Sequence, residues 1–253
     1  MKRFKKTCVA VVLLTTLLLG GCGPKAQADP TEDNYRAFYQ IFVGSFSDSD
    51  GDGTGDLRGI INRMDYLNDG NMYSENSLGV QGIWLSPIFQ SPSYHKYDAT
   101  DYYRIDEKYG TEADLVELIE LCHERNVKVI LDLVVNHTST SNEWFLKFTS
   151  AHKAGNTTDP YYDIYSWAPL DGRTSGLAYT AIPGANLEYY ECNFSTDMPE
   201  LNYDNPVVRE EMLKVANITW IWALTVSALM RLNIYTTTIQ NAVLISGSGI
   251  WMS

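Results

Sequence analysis

Apolar runs and amphipathic stretches alternate along the first half of this chain. Phe38-Tyr39-Gln40-Ile41-Phe42-Val43 joins aromatic and β-branched residues into a short run that predicts a buried strand. A Gly/Asp-rich loop follows from Ser47 to Asp56. Ile60, Ile61, Met64 and Leu67 then recur at helical spacing and predict an amphipathic helix over Leu57–Asn68. Val80–Phe89 is a second strand pattern, stopped by Ser91-Pro92. Thr111 with Asp114 three residues on has the form of a capping box and opens a helix to Asn126. Its apolar stripe is Leu115, Leu118, Ile119 and Cys122. Val127–Val135 is almost continuously apolar, as in a parallel strand covered on both faces. Strand, helix, strand, helix, strand is the opening of a parallel α/β sheet.

That rhythm then breaks. From Thr138 to about Asn202 the chain is rich in Asn, Asp, Tyr, Gly and Pro and shows no clear period. It predicts a long irregular excursion from the end of the third strand. Asn205-Pro206 suits an N-cap followed by the first helical position, and Val207, Val208, Met212 and Val215 form the apolar face of a new helix. The expected divisions are 35–137 for the first part of the sheet, 138–204 for an inserted domain, and 205–217 for the helix.

Residues 1–22 read as a targeting segment. Lys2, Arg3, Lys5 and Lys6 precede an apolar run from Val9 to Leu19, too short for a mature membrane span. Leu19-Gly20-Gly21-Cys22 resembles a bacterial lipobox, which implies acylation of Cys22 and a lipid anchor on the extracellular face of the cell membrane. Residues 23–34 are polar, hold Pro24 and Pro30, and read as a linker. Cys122 and Cys192 are then the remaining cysteines, and both are expected unpaired. Net charge is −12, from 31 acidic against 19 basic residues. Such a surface repels phosphate backbones and argues against a nucleic-acid partner. It also leaves carboxylates for a hard cation.

The acids cluster in Asp48-Ser49-Asp50-Gly51-Asp52-Gly53-Thr54-Gly55-Asp56, where alternate carboxylates around glycines can fold onto one cation. An EF-hand would need a Glu at the position of Gly59, so the loop is not of that type. Tyr94-His95-Lys96-Tyr97-Asp98-Ala99-Thr100-Asp101-Tyr102 follows the second strand, and Asp132-Leu133-Val134-Val135-Asn136-His137 ends the third. Functional residues of barrel enzymes stand at such strand ends. Together these three stretches resemble the alpha-amylase family, glycoside hydrolase family 13, over roughly Tyr35 to Ala216. Met198-Pro199-Glu200-Leu201-Asn202 is similar to a further signature of the family, with Glu for its usual Asp.

The resemblance implies an incomplete (β/α)8 TIM barrel with an inserted irregular domain after the third strand. It implies calcium as a structural cofactor held by Asp48, Asp50, Asp52, the Thr54 carbonyl and Asp56. It gives Tyr97 the role of stacking on the sugar at the cleavage point, and Asp98 that of a structural partner. Asp132 would support an active-site arginine, Asn136 would be structural or bind a second calcium, and His137 would hydrogen-bond the cleaved sugar. No metal site is expected on Glu200.

Beyond Asn217 the family's pattern calls for a fourth strand reading like G-F-R-L-D-A, which carries the nucleophilic Asp. Ile218–Ser253 holds no Asp, Glu or Lys, and Arg231 is its sole charge. The coding frame offers a reason. In the frame starting at the third base of each codon, Trp220-Ile221 encodes Asp and Trp222-Ala223 encodes Gly, while Met230-Arg231 permits Ala. The other codons permit Y-Y-L-D-M-G-V-D-G-F-R-L-D-A-A-K-Y-I, so residues 218–253 read as out-of-frame translation. The expected function is retaining cleavage of α-1,4-glucans, with this chain inactive because the catalytic carboxylates lie beyond the shift. A cyclodextrinase or α-1,6-glucosidase is the alternative enzyme, and a non-catalytic glucan-binding lipoprotein is the alternative of another class.

Overall fold

The computed structural model describes residues 37–71 and 73–224. The expected signal, Cys22 as the expected lipidation site, the expected linker and residues 225–253 lie outside the described residues. In chain order the elements begin with β1 (Phe38–Ile41), α1 (Val43–Phe46), α2 (Leu57–Asn62) and α3 (Met64–Leu67). Next come β2 (Gly82–Leu85), β3 (Phe89–Gln90), β4 (Asp101–Ile105), α4 (Glu112–Glu124) and β5 (Lys128–Leu131). The remainder is α5 (Glu143–Ala154), β6 (Trp167–Pro169), β7 (Tyr179–Ala181), β8 (Glu188–Glu191) and α6 (Pro206–Leu224).

The strands read as apolar runs, β1, β2 and β5, form one parallel sheet in the order β1-β2-β5. Ile41, Leu85 and Leu131 pair at the same level, so the three chains leave the sheet together at one end. Helices cover the sheet because their stripes match it. Leu57 and Ile60 of α2, Leu115, Leu118, Ile119 and Cys122 of α4, and Val208, Met212 and Val215 of α6 are all buried. The α4 capping box is present: the Asp114 N–H donates to Thr111 Oγ1 (3.2 Å), and the Thr111 N–H donates to Asp114 Oδ2 (2.9 Å). Such reciprocal caps satisfy two of the donors that a helix start leaves open. Asn205 caps α6 by accepting from the Val207 N–H at 2.9 Å. Cys122 and Cys192 are unpaired and buried, and burial pushes the Cys122 thiol up to about 12.

Several expectations need correction. The single helix over 57–68 is two short ones, because Arg63 leaves helical geometry at φ −106°, ψ 9°. The step keeps Met64 and Leu67 in the core, and no Gly or Pro announces it. The second strand ends at Leu85, while Phe89 starts an antiparallel hairpin with β4. The excursion over 138–204 is not patternless. It contains α5, capped by Asn142 on the Trp144 N–H (2.9 Å) and ended by left-handed Gly155, with Trp144, Phe145, Phe148, Ala151 and His152 on its buried face. It also contains an antiparallel sheet in the order β6-β8-β7. His152 joins the two, its imidazole lying between the Tyr162 carbonyl (2.9 Å) and the Glu188 carboxylate (2.6 Å) and stacked on the Tyr162 ring at 4.0 Å. The backbone bridge His137–Glu200 and the Leu201 N–H donating to the Asn136 carbonyl (2.9 Å) tie this region to the segment after β5, while Tyr165–Leu201 is a bridge within it. Finally, α6 continues past the expected boundary at Asn217 to Leu224.

Candidate functional site

The segments leaving β2 and β5 meet at the end of the parallel sheet. Tyr97, between β3 and β4, donates its hydroxyl to Asp132 Oδ2 at 2.9 Å. Its ring is 37% exposed, so one face stays available. Burial first, then the Asp132 hydrogen bond and charge, raise the Tyr97 phenol to about 12, which keeps it a donor at neutral pH. Burial raises the Asp132 carboxyl above its ordinary value, and the Tyr97 hydroxyl offsets part of that.

The turn before Tyr97 is held from behind. Asp98 is buried and accepts from the hydroxyls of Ser91 (2.7 Å) and Ser93. His95 Nδ1 lies 3.8 Å from the same carboxylate. Lys96 has a left-handed backbone (φ 63°), uncommon for a residue with a Cβ. Its buried ammonium reaches Asp106 Oδ2 at 2.7 Å and the Ser91 carbonyl at 3.0 Å. Sequence reasoning missed this pair, because a Lys beside a Tyr carries no signal that it turns inward.

Beyond β5, Asn136 donates its amide to Glu200 Oε2, and the Asn193 N–H donates to Glu200 Oε1 at 3.3 Å. Glu200 thus positions Asn136. His137 is buried with its Nε2 at no hydrogen-bonding geometry to any described residue. Burial pulls the imidazole below its ordinary value, partly countered by the Tyr97 backbone and the Asp98 charge. A neutral ring with one unanswered nitrogen is suited to a ligand hydroxyl. Phe194, an exposed residue that the sequence did not single out, lies against it with ring centroids 4.9 Å apart.

The acidic loop is separate from these groups. Asp48, Asp50 and Asp56 each bring a carboxylate oxygen within 4.8 Å of the others. Asp52 stands outside that trio and accepts from the Thr54 N–H at 2.7 Å. Asp56 is buried, receives the Ser49 N–H (2.9 Å) and caps α2 through the Gly59 N–H (2.6 Å). The N–H groups of Gly51 and Gly53 lead the causes that hold the Asp48 carboxyl below its ordinary value. A Cβ on Gly59 would lie 1.8 Å from the Ser47 carbonyl, so no glutamate could stand there. A cavity of about 920 Å³ is an open groove beside this loop and not over Tyr97.

Comparisons with known proteins show the family. The family model described as the alpha-amylase catalytic domain matches residues 40–232. The chain belongs to the alpha-amylase family. Within that family it is 43% identical over 218 residues to alpha-amylase 3 of Dictyoglomus thermophilum, covering 86% of this chain and 39% of that protein. It is 39% identical over 186 residues to an oligo-1,6-glucosidase of Bacillus cereus, covering 70% of this chain and 31% of that protein. The crystal structure of an alpha-amylase from H. orenii superposes with a TM-score of 0.67 at 44% identity, covering 74% of this chain and 38% of that one. The chain therefore spans about two fifths or less of the length of these alpha-amylase family relatives.

Proposed function

We propose that this chain carries the sugar-contacting part of a retaining α-glycoside hydrolase of α-1,4-glucans, built as the first three strands of a (β/α)8 barrel with an insert after the third. The observation that carries the reading is the meeting at the strand ends of Tyr97, tied to Asp132, with His137 and its unanswered Nε2. The Tyr97 ring takes the apolar face of a pyranose, and His137 takes a hydroxyl of the same sugar. Asp98 and Asn136 hold those two groups in place through Ser91, Ser93 and Glu200.

Cleavage with retention needs two carboxyl groups about 5–5.5 Å apart, one to attack and one to give a proton. Asp132 and Asp98 are committed to Tyr97 and to serines. Ile218–Ser253 adds no carboxylate. The chain as written then binds glucan without hydrolysing it. Calcium fits the trio Asp48, Asp50 and Asp56, whose converging oxygens would otherwise repel. Bound there, it supplies structural charge compensation alone. Cys22 anchors the protein by its lipid to the outer face of the cell membrane. The similarity to an oligo-1,6-glucosidase favours α-1,6 linkages as the second reading. The test is to restore the coding frame at codon 217 and assay α-1,4- and α-1,6-linked substrates. Hydrolysis by the restored protein, none by the chain as written, and losses of about 10²-fold or more for Tyr97→Ala and His137→Ala support the reading. Hydrolysis by the chain as written would overturn it.

A further inference from the structure

The parallel sheet has a second end, opposite the one that carries Tyr97. There Phe38, Gly82 and Lys128 pair at one level and open β1, β2 and β5. The segment leading into β2 is laid along the end of α3. The Leu78 N–H donates to the Tyr66 carbonyl (2.8 Å), and the Val80 N–H donates to the Leu67 carbonyl (3.1 Å). The loop between them is held by its own side chains. The N–H groups of Gly70, Asn71 and Tyr73 donate to the Oδ1 atoms of Asn68 (2.8 Å), Asp69 (3.0 Å) and Asn71 (3.0 Å). The Arg125 guanidinium, just before β5, ties the base of the loop by donating to the Asn68 carbonyl.

This end displays large apolar side chains that the core leaves out. Tyr73 is 85% exposed, and Phe38, Tyr66 and Leu78 are each exposed to about half. An apolar set of this kind, gathered at one end, marks a contact surface. Tyrosine, with an apolar ring and a polar tip, suits the boundary between lipid headgroups and acyl chains. Charge also opposes such a contact less here than over the rest of the chain. Segments 62–82 and 123–128 hold Arg63, Arg125 and Lys128 against Asp65, Asp69, Glu75 and Glu124, an excess of one acid in a chain of net charge −12. The acidic loop from Asp48 to Asp56 follows β1 and so lies at the other end.

The chain also enters the fold at this end, at Ala37. Residues 23–36 are all that separates it from Cys22. Fourteen residues span at most about 50 Å, and a compact fold of roughly 190 residues is about 40 Å across. Only by running nearly its full length along the fold would that segment bring the Tyr97 end to the lipid. We propose that the end bearing Tyr66, Tyr73 and Leu78 is a lipid-facing surface, resting at the headgroup level of the membrane that holds Cys22. The strand ends with Tyr97 and His137 then point away from the membrane, toward the glucan. The inference rests on the Cys22 anchor proposed above.

The experiment reconstitutes the lipidated full chain into vesicles of phosphatidylethanolamine and phosphatidylglycerol. These include a phospholipid with a photoreactive diazirine at the boundary of headgroup and acyl chain. After illumination, adducts are mapped by peptide mass spectrometry, and the peptide with Cys22 reports whether it carries lipid. Adducts are expected to concentrate on residues 63–80 and to be absent from Leu170, Leu187 and Phe194, which are exposed on the insert. Tyr73→Ser combined with Leu78→Ser changes two exposed side chains and leaves the core intact. This variant should keep its lipid and lose most adducts over 63–80. Lipidated Cys22 with adducts on the insert, or on neither surface, overturns the lipid-facing end and leaves the anchor standing. An adduct pattern unchanged in the double variant overturns the role of these side chains. A Cys22 peptide without lipid overturns the anchor and the inference with it.

Discussion

Lys96 Nζ lies 2.7 Å from Asp106 Oδ2, and both charges are buried next to the turn that presents Tyr97. Removing one partner of such a pair leaves the other charge without compensation, at a cost of about 3–5 kcal/mol. Lys96→Met is therefore expected to lower the urea midpoint sharply. Lys96→Met combined with Asp106→Asn removes both charges and is expected to recover much of the loss. A double variant no more stable than the single one would show that the pair does not set the stability of this turn.

Calcium should raise the melting temperature through Asp48, Asp50 and Asp56. At a concentration 100 times Kd the gain is about 2.7 kcal/mol, and a chelator removes it. Asp48→Ala abolishes the calcium response, whereas Asp52→Ala reduces it less, because Asp52 is turned to the Thr54 N–H. Asp56→Ala also loses the α2 cap, worth roughly 1 kcal/mol even with chelator present. A calcium response unchanged in Asp48→Ala would exclude this loop as the site.

Stability should fall as pH drops from about 7.5 to about 6. The folded His137 imidazole sits below its ordinary value of 6.5, so the unfolded chain takes up its proton first. The stabilisation is complete above the unfolded value and is lost as pH falls toward the folded one. Burial shifts His123 the same way. Asp132 and Glu200 are shifted up and act in the opposite sense, but at more acidic pH. His137→Gln is expected to flatten the slope of urea stability against pH in this window. An unaltered slope would remove His137 from the account.

Membrane fractionation tests the anchor. The wild-type product should sediment with membranes, and Cys22→Ser should be released or left unprocessed. A wild-type product found wholly in the soluble fraction would reject lipidation of Cys22.

What the sequence made legible follows from how strongly each segment is buried. Val127–Val135 stood out because its apolar residues run almost unbroken, although Lys128, Val129 and Ile130 of β5 are only half-buried, and Thr111–Asp114 because a capping box uses fixed residue types. The strands β6, β7 and β8 were invisible: they are short, partly exposed and rich in tyrosine, so no alternation develops. The helix α5 could have been read from Trp144, Phe145, Phe148 and Ala151 with Asn142 as its cap, but it lay inside a polar stretch dismissed as aperiodic. At the candidate site, the resemblance of the motifs to the alpha-amylase family pointed to Tyr97, Asp132 and His137. It could not reveal that Glu200 steadies Asn136 or that Phe194 lies on His137, since both contacts are made by a chain that returns from far away in sequence.

The His152 bridge has a consequence for how this architecture can vary. By clamping α5 to β8 through Glu188 and to the intervening chain through Tyr162, it makes the insert a stiff plate. That plate meets the strand ends at the His137–Glu200 pair and through the Leu201 N–H on the Asn136 carbonyl. Glu200 in turn holds the Asn136 amide, which lies 3.3 Å from His137 Nδ1. The insert thus bears on the His137 ring through Glu200 and Asn136, and a change in its loops can reach that ring while the parallel strands stay untouched.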